Sequence, residues 1–459
     1  MAFADGPLTD EEFTSAVELL RGLVPADEFS TTALAESPAT VYTRLVTLWL
    51  LTLQRLGGGA SLAAVVKDVL NHSRRLLPDN KRVREGTLSQ NSAAFSRART
   101  RLPLALARTF AERVCESLIA RTPPSCDGRR VFLLDGTTIT LPPTSSLREV
   151  YPPASNQFGA STWPVMLLTV AHELASGCAL PPEFGAMYGP HNESETSQAT
   201  RLFDRLPPNS LVLTDSGFGI FGVIEAAVRA GHDAASRLTK ARFDALRRRA
   251  EELARTTRGA RYRLAWRPSA KDRKSRPELS AEACVNVELH ELERPGAEPL
   301  YLVTTLALES DEAARLYARR YDVEHDIRDL KVTLELEQLR SKSDEMVRKE
   351  LLCGLVAYNL VIELRRAAAE VARVEPRRLS FTGVWTTMQI ILLRQPPASA
   401  AQWRACYERA LRSAAKEKLP HRPNRSYPRR AHPRRPKSTD EPDRKQRPKP
   451  KEPPPEQTK

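Results

Sequence analysis

The sequence predicts a mixed α/β fold, a sheet with helices on its faces, with all-helical segments before and after it. Three observations lead there. The apolar period is helical to about residue 122, turns strand-like from about residue 128, and then alternates between strand and helix. Two short apolar runs, Val131-Phe-Leu-Leu-Asp135-Gly and Leu211-Val-Leu-Thr-Asp215-Ser-Gly, read as buried strands, each with an aspartate at its carboxyl end. Tyr317-Ala-Arg-Arg-Tyr-Asp-Val-Glu-His-Asp-Ile-Arg-Asp-Leu-Lys331 reads as an amphipathic helix, with Leu316, Val323, Ile327, Leu330 and Leu334 forming the stripe that buries it.

In chain order, Leu8-Thr-Asp-Glu-Glu offers capping residues ahead of a periodic apolar segment. Leu45 to Leu53 is a buried helix too short to cross a bilayer, Gly57-Gly-Gly breaks it, and Leu62 to Leu70 resumes the period. Ser89 to Leu118 is helical and basic, with Arg97 and Arg101 four apart on one face. A solvated basic face and a helix that delivers arginines to DNA phosphates both fit that pattern. Strands are predicted at 130–135, 137–141, 163–172, 178–184, 211–215 and 234–239, and helices at 193–206 and 219–230. Asp135 and Asp215 are 80 residues apart but Asp215 and Glu324 are 109 apart, so residues 241–299 read as an insertion. It comprises a charged helical run, Arg242 to Arg258, and two alternating strands, Tyr262 to Trp266 and Ala283 to His290. Leu300 to Thr305 restores the sheet, and helical stretches follow to about residues 372, 393 and 414.

The chain carries a net charge of +14, but Lys416 to Lys459 hold fifteen Lys or Arg against six Asp or Glu, so +9 of it lies in the last 44 residues. The body is only about +5, and charge alone does not make it a nucleic-acid binder. From Pro420 onward proline and basic residues leave too little apolar surface to fold; a solubilising tail and a nonspecific nucleic-acid tether both fit. Six cysteines without paired short spacing give neither a zinc site nor a disulfide framework and fit a reducing compartment. The start lacks the basic and apolar segments of a signal peptide.

On the helix at 317–331, Arg320, Glu324 and Lys331 fall within roughly 60° of Tyr317, while Asp322 and Asp329 point elsewhere. A single carboxylate stands among cations. Taken alone, such a face is equally that of an exposed, salt-bridged helix, and each aspartate equally caps a turn. Together, two strand-end aspartates and a helix-borne glutamate are the oxygen ligands that divalent-metal phosphoryl transfer needs.

The ordered set Leu-Leu-Asp135-Gly-Thr, Leu-Thr-Asp215-x-Gly-Phe and Tyr317-x2-Arg320-x3-Glu324-x6-Lys331 resembles the DDE transposases of bacterial insertion-sequence family four. Ser92-Ala-Ala-Phe-Ser-Arg-Ala-Arg-Thr-Arg-Leu, Ala357-Tyr-Asn-Leu and Leu379-Ser-Phe extend the likeness over roughly residues 10–435. Ser216 departs from the arginine, and Tyr321 from the tryptophan, found in many or some members. The resemblance implies an RNase H-like catalytic core at 126–345 with a β-rich insertion at about 241–299. Around it stand a helical DNA-binding region at 1–125, a helical region at 346–415 and a disordered basic tail at 416–459. It implies a cytoplasmic enzyme with no membrane association, in which Asp135, Asp215 and Glu324 hold Mg²⁺, or Mn²⁺ in its place, for strand cleavage and transfer. Tyr317, Arg320, Lys331, Arg97 and Arg101 are the expected DNA contacts, and Trp266 is either a ring that stacks on a base drawn from the duplex or, as the pattern favours, part of the insertion's own small core. Terminal inverted repeats and target DNA are the expected partners, bound by a homodimer. The alternatives are a nuclease of the same fold and a noncatalytic repressor, the latter disfavoured by three intact acids that repel phosphate.

Overall fold

The structure, a computed structural model, describes residue 37 and residues 39–72, 77–157, 159–393 and 399–420. The predicted start near Leu8 and most of the tail lie outside the described residues. Among the described residues the longer helices α1 (Arg44–Leu56), α2 (Leu62–His72), α3 (Ala93–Arg101) and α4 (Leu104–Ala120) come first, with a single helical turn at Lys81–Arg84 between α2 and α3. The sheet opens with β1 (Val131–Thr140), β2 (Pro153–Asn156), β3 (Gly159–Glu173) and β4 (Glu183–Ala186), then α5 (Glu195–Phe203), β5 (Leu211–Thr214), α6 (Phe221–Arg229) and β6 (Asp233–Arg237). After it come β7 (Glu251–Thr256), β8 (Gly259–Trp266), β9 (Val285–Arg294) and β10 (Ala297–Thr304).

Strand order across the sheet is β2-β3-β1-β5-β6-β10-β9-β8-β7, with β4 also paired to β3. β1 pairs antiparallel with β3 and parallel with β5, and β5 pairs parallel with β6. Three antiparallel strands followed by two that run parallel to the first form the RNase H-like arrangement. Two expectations change. The runs at 130–135 and 137–141 are one continuous strand, because β3 pairs with β1 from Phe132 to Thr140 without a break. The inserted strands do not stand apart either: β10 pairs with β6 and β9, β8 and β7 extend the same sheet. The charged run at 242–258 is helical only over Lys240–Arg247, and its second half is β7. Charged residues on an exposed edge strand protect it from pairing with other chains, and by composition they resemble a solvated helix.

Downstream lie α7 (Ser310–Ala318), α8 (Asp322–Arg328), α9 (Asp344–Ala372), α10 (Phe381–Thr387) and α11 (Ala400–Ala414). Residues Leu351 to Leu364 of α9 are all buried, so this helix is covered on every side. Its cover comes from α1, α4 and α11, which joins the helical segments before and after the sheet into one layer. The polar residues Tyr358 and Asn359 there serve packing. Asn359 accepts from the Ala179 N–H at 2.9 Å and donates to its carbonyl at 2.9 Å, in the manner of a sheet partner. Tyr358 donates to the Gly177 carbonyl at 3.0 Å and stacks on Phe381 with ring centroids 5.3 Å apart. No helix among the described residues is long and apolar enough to cross a membrane.

Candidate active site

Strand geometry brings the two aspartates together. β1 and β5 pair in parallel with Val131 opposite Leu211 and Leu133 opposite Leu213, so the same register carried two residues further sets Asp135 beside Asp215. Side chains alternate along a strand, and Val131, Leu133, Leu211 and Leu213 pack in one cluster with Val323 of α8. Asp135 and Asp215 therefore leave the sheet on the face that α8 covers. β5 ends at Thr214 while β1 continues to Thr140, which opens a notch beside Asp135. Asp135 accepts from the Gly136 N–H at 2.9 Å, and Asp215 from the Gly217 N–H at 2.8 Å.

The third carboxylate arrives on α8. Arg320, only 8% exposed, spans the gap: its guanidinium lies 3.4 Å from Asp135 Oδ2 and 3.2 Å from Glu324 Oε1. A cation held this far from water needs both partners. Burial raises the Asp135 pKa; Arg320 and the Gly136 N–H oppose the shift, and the charges of Asp215 and Glu324 add to it. Lys331 reaches the open edge of β1, donating to Thr137 Oγ1 at 3.1 Å and to the Thr138 carbonyl at 2.7 Å, and burial lowers its pKa.

The stretch from Tyr317 to Lys331 is not one regular helix. α7 ends at Ala318, a 3₁₀ turn covers Arg319–Tyr321, α8 follows, and Asp329–Thr333 is a wide π turn. The expected stripe survives, with Val323, Leu330 and Leu334 buried, but the polar face is redistributed. Tyr317 is 2% exposed, packed with Leu292, Leu302, Leu308 and Ala313, and burial raises the pKa of its phenol. It does not project into the open site beside Glu324. Asp329, expected only to point off the active face, is buried, and loss of water pushes its pKa up to about 6.

Other expected contacts lie apart from this cluster. Arg97 and Arg101 are exposed on α3, whose main packing is on α1 and α2. Of the two readings of Trp266 the core residue is the one the structure has, and the accessible stacking ring is not met: the side chain is 5% exposed and meets Phe221 of α6 edge-on at 5.6 Å. One acid was missed. Glu195, the first residue of α5, is close enough to Asp135 and Asp215 for their charges to raise its pKa, after burial as the larger cause. No motif marks it; the faint signal is that it opens the helix preceding Asp215.

Among the described residues no group of three or more carboxylates, histidines or cysteines is drawn together closely enough to hold a metal ion. The donor chemistry is that of a hard divalent cation: Asp135 and Glu324 flank the buried Arg320 guanidinium, and Asp215 is close enough for its charge to act on Asp135.

An RNase H-like sheet with carboxylates gathered where its parallel strands end defines an enzyme of phosphoryl transfer on nucleic acid. A family model described as a transposase DDE domain matches residues 127–360. The transposase InsG for insertion sequence element IS4 of Escherichia coli (strain K12) is 26% identical over 347 residues, covering 73% of this chain and 75% of that protein. A piggyBac transposase synaptic complex with hairpin DNA shares 10% identity over 91% of this chain and 86% of its own, at a TM-score of 0.38. The chain belongs to the DDE transposases, in the insertion-sequence family typified by element IS4. Enzymes of this family work with a divalent metal and act on DNA.

Proposed function

We propose that Asp135, Asp215 and Glu324 are the metal-holding acids of this transposase, and that the metal is Mg²⁺. The observation that carries the reading is the shared register of Asp135 and Asp215 on adjacent parallel strands, with Glu324 brought to the same face by α8. When bound, Mg²⁺ supplies the activation of the attacking oxygen and the stabilisation of the leaving one in an in-line displacement at phosphorus. The chain's own residues do the rest. Arg320 compensates Asp135 and Glu324 before the ion enters, and its planar donor fork then suits a DNA phosphate. Lys331 ties the turn after α8 to β1 and contributes positive charge beside the notch. Tyr317 acts from beneath, as a buried support for the backbone that carries Arg320.

On this reading the substrate is the element's own terminal inverted repeat, then target DNA, held by a homodimer in the cytoplasm. Residues 1–125, with Arg97 and Arg101, are the DNA-binding region and 126–345 the catalytic core. Residues 346–415 are helical support, and the tail from 416 is a nonspecific tether. The test pairs gel-shift binding with Mg²⁺-dependent cleavage of a duplex carrying the element's end. Asp135→Ala, Asp215→Ala and Glu324→Ala should each abolish cleavage and keep end binding, since removing a carboxylate relieves repulsion from phosphate. Cleavage retained in Glu324→Ala overturns the assignment.

A further inference from the structure

A third strand reaches the two aspartates. β5 and β6 pair in parallel with Leu213 opposite Ala235 and Thr214 opposite Ser236, so one step further along the same register sets Arg237 beside Asp215. Asp135, Asp215 and Arg237 thus form a row across β1, β5 and β6. Ala235 packs in one cluster with Leu213 and with Val323 of α8, so by strand alternation Arg237 leaves the sheet on the face that α8 covers, as both aspartates do.

Contacts on the far side of β6 give the same position. There β6 pairs antiparallel with β10, where Leu302 is the partner of Arg237, and Leu302 packs with the buried Tyr317. Burial raises the Tyr317 pKa, and the charges of Arg320 and Arg237 both oppose the shift. The turn after Asp215 is also fastened to the end of β6. Arg242 donates from one nitrogen to the Ser216 carbonyl at 3.1 Å and to the Gly219 carbonyl at 2.8 Å, and a Cβ on Gly219 would run into the Arg237 carbonyl.

The cations at this end of the sheet differ in what they already hold. Arg320 is taken up by Asp135 and Glu324, and Lys331 by Thr137 and the Thr138 carbonyl. Arg237 is exposed, and among the described residues no carboxylate, Asp215 included, pairs with it and no acceptor takes its donors. An arginine that served only to balance Asp215 would be paired with it. A full charge and a fork of uncommitted N–H donors therefore stand one strand from a carboxylate assigned to chemistry on a phosphodiester.

We propose that Arg237 grips a backbone phosphate of the DNA end on the β6 side of Asp215, and that it does so before a metal enters. The proposal rests on the function assigned above and adds a DNA contact to it. Gel shifts of the full-length chain with the element's end in EDTA, across a salt series, read the grip apart from the chemistry. Cleavage in Mg²⁺ at varied end concentration reads it in action. Arg237→Gln should weaken metal-free binding by about tenfold and lower the slope of log affinity against log salt by about one. Its half-saturating end concentration for cleavage should rise by a similar factor, with the maximal rate far less affected. Arg237→Lys keeps the charge and loses the fork, so it should restore the slope and only part of the affinity. An Arg237→Gln protein with the parent's affinity and slope overturns the proposal and leaves a solvated surface arginine. A loss of affinity at unchanged slope overturns it too, because the substitution would then act on the sheet end and not on a phosphate. Asp215→Ala separates the two claims: if it is dead while Arg237→Gln binds as the parent does, only the grip fails, and if it cleaves normally the site reading fails.

Discussion

Arg320 stands in two ion pairs that any entering metal must disturb, which links the metal to the DNA grip through one side chain. Arg320→Ala should therefore bind Mn²⁺ more tightly than the parent and bind the element's end more weakly, as calorimetry and gel shifts on the same preparation would show. Weaker binding of both would mean that the arginine only props the fold. Asp322, ion-paired with Arg319 at 3.0 Å, is the sound neutral control on this helix, and its alanine variant should stay active. Asp329 is not a control. Its folded pKa of about 6 exceeds the unfolded value near 4, so the folded form keeps its proton longer. That stability is fully present below about pH 4 and is lost as pH rises through about 6, at a cost of up to about 3 kcal/mol. Asp329→Asn should melt higher than the parent at pH 8 and within error of it at pH 4; an equal gain at both pH values would remove ionisation as the cause.

At the level of elements, the catalytic strands depend on α9. The paired bonds between Asn359 and Ala179 fix the loop between β3 and β4, and β3 in turn carries Thr169 beneath α5. Asn359→Leu leaves two backbone groups buried without partners, which costs roughly 2–4 kcal/mol. Denaturant unfolding should show that loss as a lower midpoint. A change under 1 kcal/mol would show that water replaces the amide. The buried ion pair of Arg377 with Asp326, at 2.6 Å, ties the residues before α10 to α8 in the same way, so the helix that bears Glu324 is positioned from both ends of the carboxyl-terminal layer.

Across the whole molecule, positive charge is divided unevenly between the body of the chain and its last 44 residues. With +9 of the net +14 after residue 415, removal of residues 421–459 should leave the melting temperature unchanged while lowering DNA affinity. Because the lost term is counterion release, the slope of log affinity against log salt should become shallower in the truncated protein. An unchanged slope would leave the tail as a solubiliser.

The sequence by itself determined the elements whose signal is local. The apolar runs before Asp135 and Asp215 read as strands because every residue in them is buried, and the stripe from Val323 to Leu334 read as a buried helical face because its spacing is set within a few turns. Spacing likewise brought Arg320 and Glu324 onto one side. Contacts between segments distant in the chain decided the rest. Whether Trp266 is a platform or a core residue depends on Phe221, and the burial of Tyr317 and Asp329 depends on turns that tighten and widen around α8. Glu195 joins Asp135 only because Thr169 anchors its helix and Gly136 leaves a side chain's volume empty. None of those distances is written in the pattern of a single segment, so only tertiary structure could set the Glu195 side chain against the backbone that follows Asp135.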